Sequence, residues 1–406
     1  MRTFGLILLL LLFTGLSAGD TEVFRQMKTG AEQPERYLPL IGDKNIALVA
    51  NHTSLVYNHG YLEGGTPGSL ADGTHLVDTL LGSGIRKEQI SRIFCPEHGF
   101  RGKHAAGDHV EDGLDPVTGI PVVSLYGSNR KPTAVQMEGL DLVIFDLQDV
   151  GTRFYTYIST MHYVMEACAE NGVPLLVLDR PNPNGNYVDG PVMEEQFTSF
   201  VGMHPIPVVH GCTVGELARM INGEGWLQDG ARCELEVIPC EAYTHETPYS
   251  LPVSPSPNLP GDHAIRLYPS TCFFEGTVLS EGRGTPMPFE VYGHPDMEGN
   301  FEFTPVSIPG KANSPKHEGV LCRGKDLREF VPVEGWNRIH LEFLLDAYEK
   351  YPRKPEFFSE FFERLSGTMD LRWQIEAGLS EEQIRESWHP GLESYIKIRE
   401  KYLIYP

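Results

Sequence analysis

The chain has 406 residues, enough for two domains or one large one, and its 41% apolar and 22% charged content excludes general disorder. Glycine (42) and proline (31) together run about half again above the usual share, which speaks for turn-rich loops and against a helical bundle or coiled coil. A net charge of −22 withholds the basic face that nucleic-acid binding needs, yet a local arginine cluster can still hold an anionic small molecule.

In chain order, Arg2, the apolar run Phe4 to Leu16 and the small residues Ser17, Ala18 and Gly19 have the layout of a secretory signal over residues 1–19. The run is too short to span a bilayer, so the expectation is an exported protein, periplasmic or extracellular, with no membrane span after cleavage. Strands are expected at Ile46–Ala50, Ile93–Cys95, Val122–Leu125, Leu142–Phe145 and Leu175–Leu178. Helices are expected at His75–Leu81 and Tyr155–Glu170, the latter stopped by Asn171-Gly172. These strand runs are apolar at every position, as in a parallel sheet covered on both faces, and the strand–helix alternation reads as a doubly wound α/β fold. Thr213-Val-Gly-Glu216 is a capping box opening the next helix. The proline-rich run Leu251–Pro260 suits neither helix nor central strand, so it is a linker or an extended cleft wall. It divides an N-terminal domain, 20–250, from a C-terminal one, 251–406. The latter has strands around Phe301–Phe303 and Gly319–Cys322, and a helix opened by the capping box Ser380-Glu-Glu-Gln383.

Polar residues collect where the apolar strands stop. Asn51-His-Thr53 follows the first, Pro96-Glu97-His98-Gly-Phe-Arg101-Gly102 the second, Asp146-Leu-Gln148-Asp149-Val-Gly-Thr152-Arg153 the fourth, and Asp179-Arg180-Pro-Asn182 the fifth. In an open parallel sheet these loops share the carboxyl edge, where such folds bind ligands. Glu97 is the leading catalytic candidate, because a carboxyl partly withdrawn from water suits a general acid. Asp146 and Asp149 are candidates for a second carboxylate and for a loop-holding role, and Asp149 takes the second catalytic place. Arg101, Arg153, Arg180 and Arg283 would make the pocket locally positive and fit for a carboxylate. Tyr155 and Tyr157, interleaved with Thr152 and Thr156, suit either sugar stacking or plain packing.

Other chemistries find less support. Glu281-Gly-Arg-Gly-Thr285 is a glycine-flanked loop, but neither a dinucleotide fingerprint nor a phosphate-binding P-loop is present, and no cofactor is called for. His98, His104, Asp108 and His109 lack a metal-binding spacing, so no metal site is assigned. The seven cysteines are odd in number and contain no Cys-x-x-Cys; a Cys233–Cys240 bridge is left open.

Several of these strings closely resemble one family, the exo-β-N-acetylmuramidases of the NamZ type. They are Pro96–Gly102, Ser124-Leu-Tyr126-Gly127, Asp146–Tyr157, Leu178–Pro183, His210–Glu216, Ser254–Pro260, Tyr268-Pro269, Phe274-Glu275-Gly-Thr277 and Glu281–Pro286. The resemblance implies a Rossmann-like N-terminal domain, a smaller α/β C-terminal domain and an active site in the cleft between them. It further implies hydrolytic release of N-acetylmuramic acid from the non-reducing ends of peptidoglycan-derived glycans, with Glu97 as catalytic acid/base. Cys95 and Glu281 depart from the family pattern. The expected substrate-binding set is Asn51, His98, Arg101, Tyr126, Asp146, Gln148, Arg153, Tyr157, Arg180, Asn182, Glu275 and Arg283. The lactyl carboxylate of muramic acid gives the arginines something to hold. A glycosidase needs either two carboxyl groups across the bond or help from the sugar's acetamido group, and the sequence leaves that choice open. Competing readings are a non-catalytic periplasmic binding protein for muramyl ligands and a metal-assisted phosphoesterase built on Asp146, Asp149 and the loop histidines. No obligate protein partner is expected.

Overall fold

The computed structural model describes residues 27–57, 73–97, 99–100 and 112–406; the signal-like segment 1–19 lies outside them. Among the described residues twelve strands run in chain order: β1 Ile46–Ala50, β2 Leu55–Val56, β3 Thr74–His75, β4 Ile90–Cys95, β5 Gly113–Leu114, β6 Pro121–Ser124, β7 Leu142–Asp146, β8 Leu175–Leu178, β9 Leu235–Ile238, β10 Val291–His294, β11 Phe301–Phe303 and β12 Cys322–Asp326. Seven form the main sheet in the order β5-β6-β4-β1-β7-β8-β9, all parallel except the edge strand β5.

The unbroken apolar runs are explained by burial on both faces. Ile46, Leu48 and Ala50 of β1 pack into one core layer, with Leu142 and Ile144 of β7 and Leu176 and Leu178 of β8. Ala47 and Val49 point the other way, into a second layer with Val143, Phe145, Leu175 and Val177. Alternate side chains thus face opposite layers, as a pleated strand requires. The helix Tyr157–Asn171 crosses the second layer and ends at Gly172, whose φ of +64° is a left-handed cap that glycine takes without strain. It starts two residues later than expected, because Thr152–Thr156 first makes a turn in which Tyr155 N–H donates to Thr152 O.

A smaller second sheet, β10-β12-β11, is antiparallel. The expectation of a strand at Gly319–Cys322 is corrected: the strand begins at Cys322, after a left-handed Gly319, and runs through the polar segment to Asp326. No apolar run marks it. Its central Gly324 lets the backbone approach Tyr292 O so closely that a Cβ would overlap it. Both expected capping boxes form, at Thr213 and Ser380.

The two parts share their packing. The second layer of the main sheet continues without a break into Phe273, Phe343, Trp388 and Tyr395 of the second part. The helix Glu381–Arg399 returns to the first part, where Arg385 pairs with Asp189 and Tyr395 OH donates to His210 O. Beyond it, Ile404 N–H donates to Glu216 Oε1 (2.8 Å) and Tyr405 OH to Asp179 Oδ2 (2.6 Å), so two buried carboxylates of the main sheet's carboxyl edge are satisfied from the far end of the chain. All seven cysteines are buried and unbridged. Cys233 and Cys240 cannot meet, because β9 stands extended between them and separates them by roughly 20 Å at about 3.3 Å per residue.

Candidate active site

In this topology the chain runs from β1 outward through β4 and β6, then returns to build β7, β8 and β9 on the other side. The switch point therefore lies between β1 and β7, where a ligand is ordinarily expected. Here the protein's own side chains fill it. Asn51, just after β1, donates from Nδ2 to Tyr157 OH (2.7 Å) and accepts from the Thr53 amide and hydroxyl. Asp146, ending β7, receives a two-point grip from Arg180: Nε to Oδ1 at 2.6 Å and a terminal nitrogen to Oδ2 at 3.0 Å. Arg180 also donates to Leu55 O (3.0 Å). Gln148 donates to Asp149 O and Pro181 O, and Asn182 ties Cys212 O to the Asn184 amide.

The open space lies to one side, toward β4, β6 and the second part of the molecule. A cleft of about 670 Å³ is lined by Glu97 after β4, Tyr126 and Arg130 after β6, and Thr156 and Tyr157 after β7. Its far wall carries Glu275, Glu281, Arg283 and the segment 311–316. The proline-rich run forms part of the wall through Ser256 and Leu259, and Pro255 O accepts from Tyr155 OH (2.8 Å) and Tyr157 OH (3.3 Å). Those bonds fix both phenols and leave Tyr157 as a rigid, largely buried face of the site.

Glu97 is half-buried in this cleft, and Thr156 Oγ1 donates to its Oε2 (3.0 Å). On the opposite wall Arg283 donates to Glu275 Oε1 (2.6 Å) and pairs with Glu281 Oε1 (3.3 Å). Burial works against the guanidinium's charge, but the two carboxylates outweigh it and hold Arg283 charged. Lys316 Nζ sits 3.4 Å from Glu281 Oε2, and the carbonyls of Phe274, Glu275, Thr277 and Leu279 share its three N–H groups at 2.7–3.1 Å. This wall is thus a self-neutralised network. Glu281 belongs to it, which accounts for one departure from the family pattern. Cys95, the other departure, is buried in β4 with its thiol pushed up to about 12, and so is chemically quiet.

Two solved structures of DUF1343 family proteins from Bacteroides fragilis NCTC 9343 share the fold. One superposes with a TM-score of 0.82 at 45% identity, covering 93% of this chain and 99% of the other. The second gives 0.77 at 27% identity, covering 94% and 99%. The peptidoglycan beta-N-acetylmuramidase NamZ of Bacillus subtilis (strain 168) is 42% identical over 339 residues, 78% of this chain and 80% of that protein. The family models described as exo-beta-N-acetylmuramidase NamZ, N-terminal and C-terminal, match residues 46–263 and 266–405. The chain belongs to the NamZ family.

In this NamZ-family chain, five of the residues expected at the site line the cleft: Glu97, Tyr126, Tyr157, Glu275 and Arg283. Seven others do not line it, for reasons of burial and bonding. Asn51, Asp146, Gln148, Arg180 and Asn182 form the filled switch point described above. Arg153 is 0% exposed and donates to four carbonyls, of Pro191, Ile206, Leu365 and Ser366, at 2.6–2.9 Å. It joins the two parts of the fold and touches no open space. Asp149 is 5% exposed, with its Oδ2 accepting from the Gly151 amide (2.6 Å) and its Oδ1 lacking a hydrogen-bond partner among the described residues. Burial pushes its carboxyl up to about 7, against the pull of the Gly151 and Val150 amides. Asp149, expected as the second catalytic carboxylate, is not among the residues that line the cleft. His98, Arg101, His104, Asp108 and His109 lie outside the described residues.

The cleft also holds residues that the sequence reading passed over. Arg130 follows β6 in the same set of strand-end loops as Glu97, a signal that was available. Phe200 and Arg364 carry no such mark, since neither sits at a strand end nor in a recurring string.

Proposed function

We propose that this chain is an exo-acting glycoside hydrolase that removes N-acetylmuramic acid from the non-reducing ends of peptidoglycan-derived glycans, with Glu97 as the general acid. The observation that carries the reading is Glu97 in the cleft of a NamZ-family fold, with one oxygen positioned by Thr156. Glu97 gives its proton to the glycosidic oxygen as the C1–O bond breaks, water supplies the hydroxyl that ends on C1, and the proton that the water gives up restores the Glu97 acid. The walled cleft, with Tyr157 rigid on one side and the Arg283 network on the other, supports a site that seats a chain end. The signal-like residues 1–19 support export to the compartment where such glycans are found.

The test is turnover of 4-nitrophenyl β-N-acetylmuraminide by the unsubstituted chain and by Glu97→Gln. Removing a general acid is expected to lower kcat by about 10²–10⁴-fold with the fold unchanged. Full activity in Glu97→Gln would reject the assignment. Saturable binding of muramic acid without turnover by the unsubstituted chain would reject the hydrolase.

A further inference from the structure

Three of the four arginines that the sequence nominates for an acidic substrate already have partners among the described residues. Arg180 is closed on Asp146, Arg153 on four carbonyls, and Arg283 on Glu275 and Glu281. The fourth, Arg101, lies outside the described residues. The cleft nevertheless has two other guanidinium groups, Arg130 and Arg364, and neither makes an ion pair or hydrogen bond with any described residue. Both are exposed into it.

Their surroundings are built. Ser199 and Gly202 pair backbone to backbone in a tight turn, with Ser199 N–H to Gly202 O at 2.8 Å and Gly202 N–H to Ser199 O at 3.0 Å. The Phe200 ring at its tip is stacked on Tyr163 and lies 6.1 Å from Tyr126, so it is braced from two sides. The Arg130 guanidinium lies over that ring, 4.5 Å from its centre. A guanidinium held over an aromatic face still has N–H groups to offer a carboxylate. Arg364 approaches the same turn from the second part of the fold: its carbonyl oxygen lies 3.8 Å from where a Cβ on Gly202 would stand. Arg130, over the Phe200 ring, and Arg364, whose backbone adjoins the same turn, thus come from different parts of the molecule and both line the cleft. They do so in a protein of net charge −22, whose overall field opposes an approaching anion.

We propose that Arg130 and Arg364, set about the Phe200 turn, form the subsite that reads the lactyl carboxylate of the muramic acid residue. This rests on the hydrolase reading above and deepens it by naming the groups that separate muramic acid from N-acetylglucosamine, which is identical apart from the lactyl ether. A hydrogen bond to a charged group is strong enough to give about a tenfold effect or more for each arginine lost.

The experiment measures binding of N-acetylmuramic acid, its lactyl amide and N-acetylglucosamine by calorimetry. It uses the unsubstituted chain, Arg130→Gln, Arg364→Gln and Arg364→Lys. Turnover of the 4-nitrophenyl muraminide is measured alongside. The expected result is a rise in the muramic acid Kd of about tenfold or more in each Gln variant, partial recovery in Arg364→Lys, and unchanged weak binding of the amide and of N-acetylglucosamine. An unchanged muramic acid Kd in both Gln variants, with turnover by the unsubstituted chain intact, overturns the subsite and leaves the hydrolase reading standing. Equal binding of the acid and its amide by the unsubstituted chain also overturns it, because the anion is then not what is read. If the unsubstituted chain shows no turnover while the arginine variants still lose muramic acid binding, the hydrolase reading fails and the carboxylate subsite survives as a binding site.

Discussion

Replacing Asp146 by Asn separates a structural ion pair from a substrate contact. The pair is sealed: the Asp146 side chain is fully buried and Arg180 nearly so, and two short bonds join them. Burial pushes the Asp146 carboxyl up while the guanidinium pulls it down, and Arg180 in turn is held charged by Asp146. In Asp146→Asn an amide faces a guanidinium that stays charged, and breaking a buried pair in this way costs about 3–5 kcal/mol. A chain of this length unfolds with an entropy near 0.85 kcal/mol/K at about 2.1 cal/mol/K per residue, so Tm is expected to fall by about 4–6 °C. Adding Arg180→Met removes the orphaned charge and is expected to restore much of the loss. The assay is calorimetric unfolding of the two single variants and the double, with KM for the muraminide measured below the transition. KM is expected to stay within about threefold, since neither group lines the cleft. An unchanged Tm in Asp146→Asn together with a large rise in KM would refute the argument and return both residues to the substrate.

Two further predictions concern the neighbouring loop. Asp149 has its folded pKa raised to about 7 by burial, so the unfolded chain ionises first as pH rises, and this group withdraws stability progressively between about pH 4 and pH 7. Asp149→Asn is therefore expected to gain stability relative to the parent across that window, on the order of 2–4 kcal/mol at pH 8 and close to nothing at pH 3, read by thermal denaturation at several pH values. A variant less stable than the parent at pH 8 would contradict it. Gly151 has φ of +79°, and a Cβ there would stand 2.1 Å from Asn182 Oδ1. Gly151→Ala is expected to lose about 2–4 kcal/mol, from left-handed strain plus displacement of Asn182, measured by urea unfolding.

The main sheet was legible because its signal is local: an all-apolar run such as Leu142–Phe145 can satisfy itself only between two covered faces. β12 was misplaced because Cys-Arg-Gly-Lys-Asp has no apolar pattern and is held by its neighbours on both sides. Within the site, Glu97 could be read from its place just past β4, and Tyr157 from the polar–aromatic string that leads from β7 into the next helix. The arginines could not, because charge and planarity are the same whether a guanidinium faces a sugar acid or four backbone carbonyls. Arg153 and Arg364 look interchangeable as letters. Only the packing of 365–366 against the loop after β7 makes one a buried brace and leaves the other in the cleft.

The bonds from Ile404 and Tyr405 to Glu216 and Asp179 bear on how the molecule comes apart. Asp179 is also held by Thr213 and the Gly215 amide, and Glu216 by His245, so the same carboxylates anchor the start of the helix Val214–Glu224. A fragment stopping near residue 263 would leave these acids with part of their bonding missing, beside an apolar layer cut open where Phe273, Phe343 and Tyr395 belong. The two family segments are thus not two folding units. Unfolding is expected as one cooperative transition, and loss of the last few residues is felt at the sheet's carboxyl edge, about two hundred positions earlier in the chain.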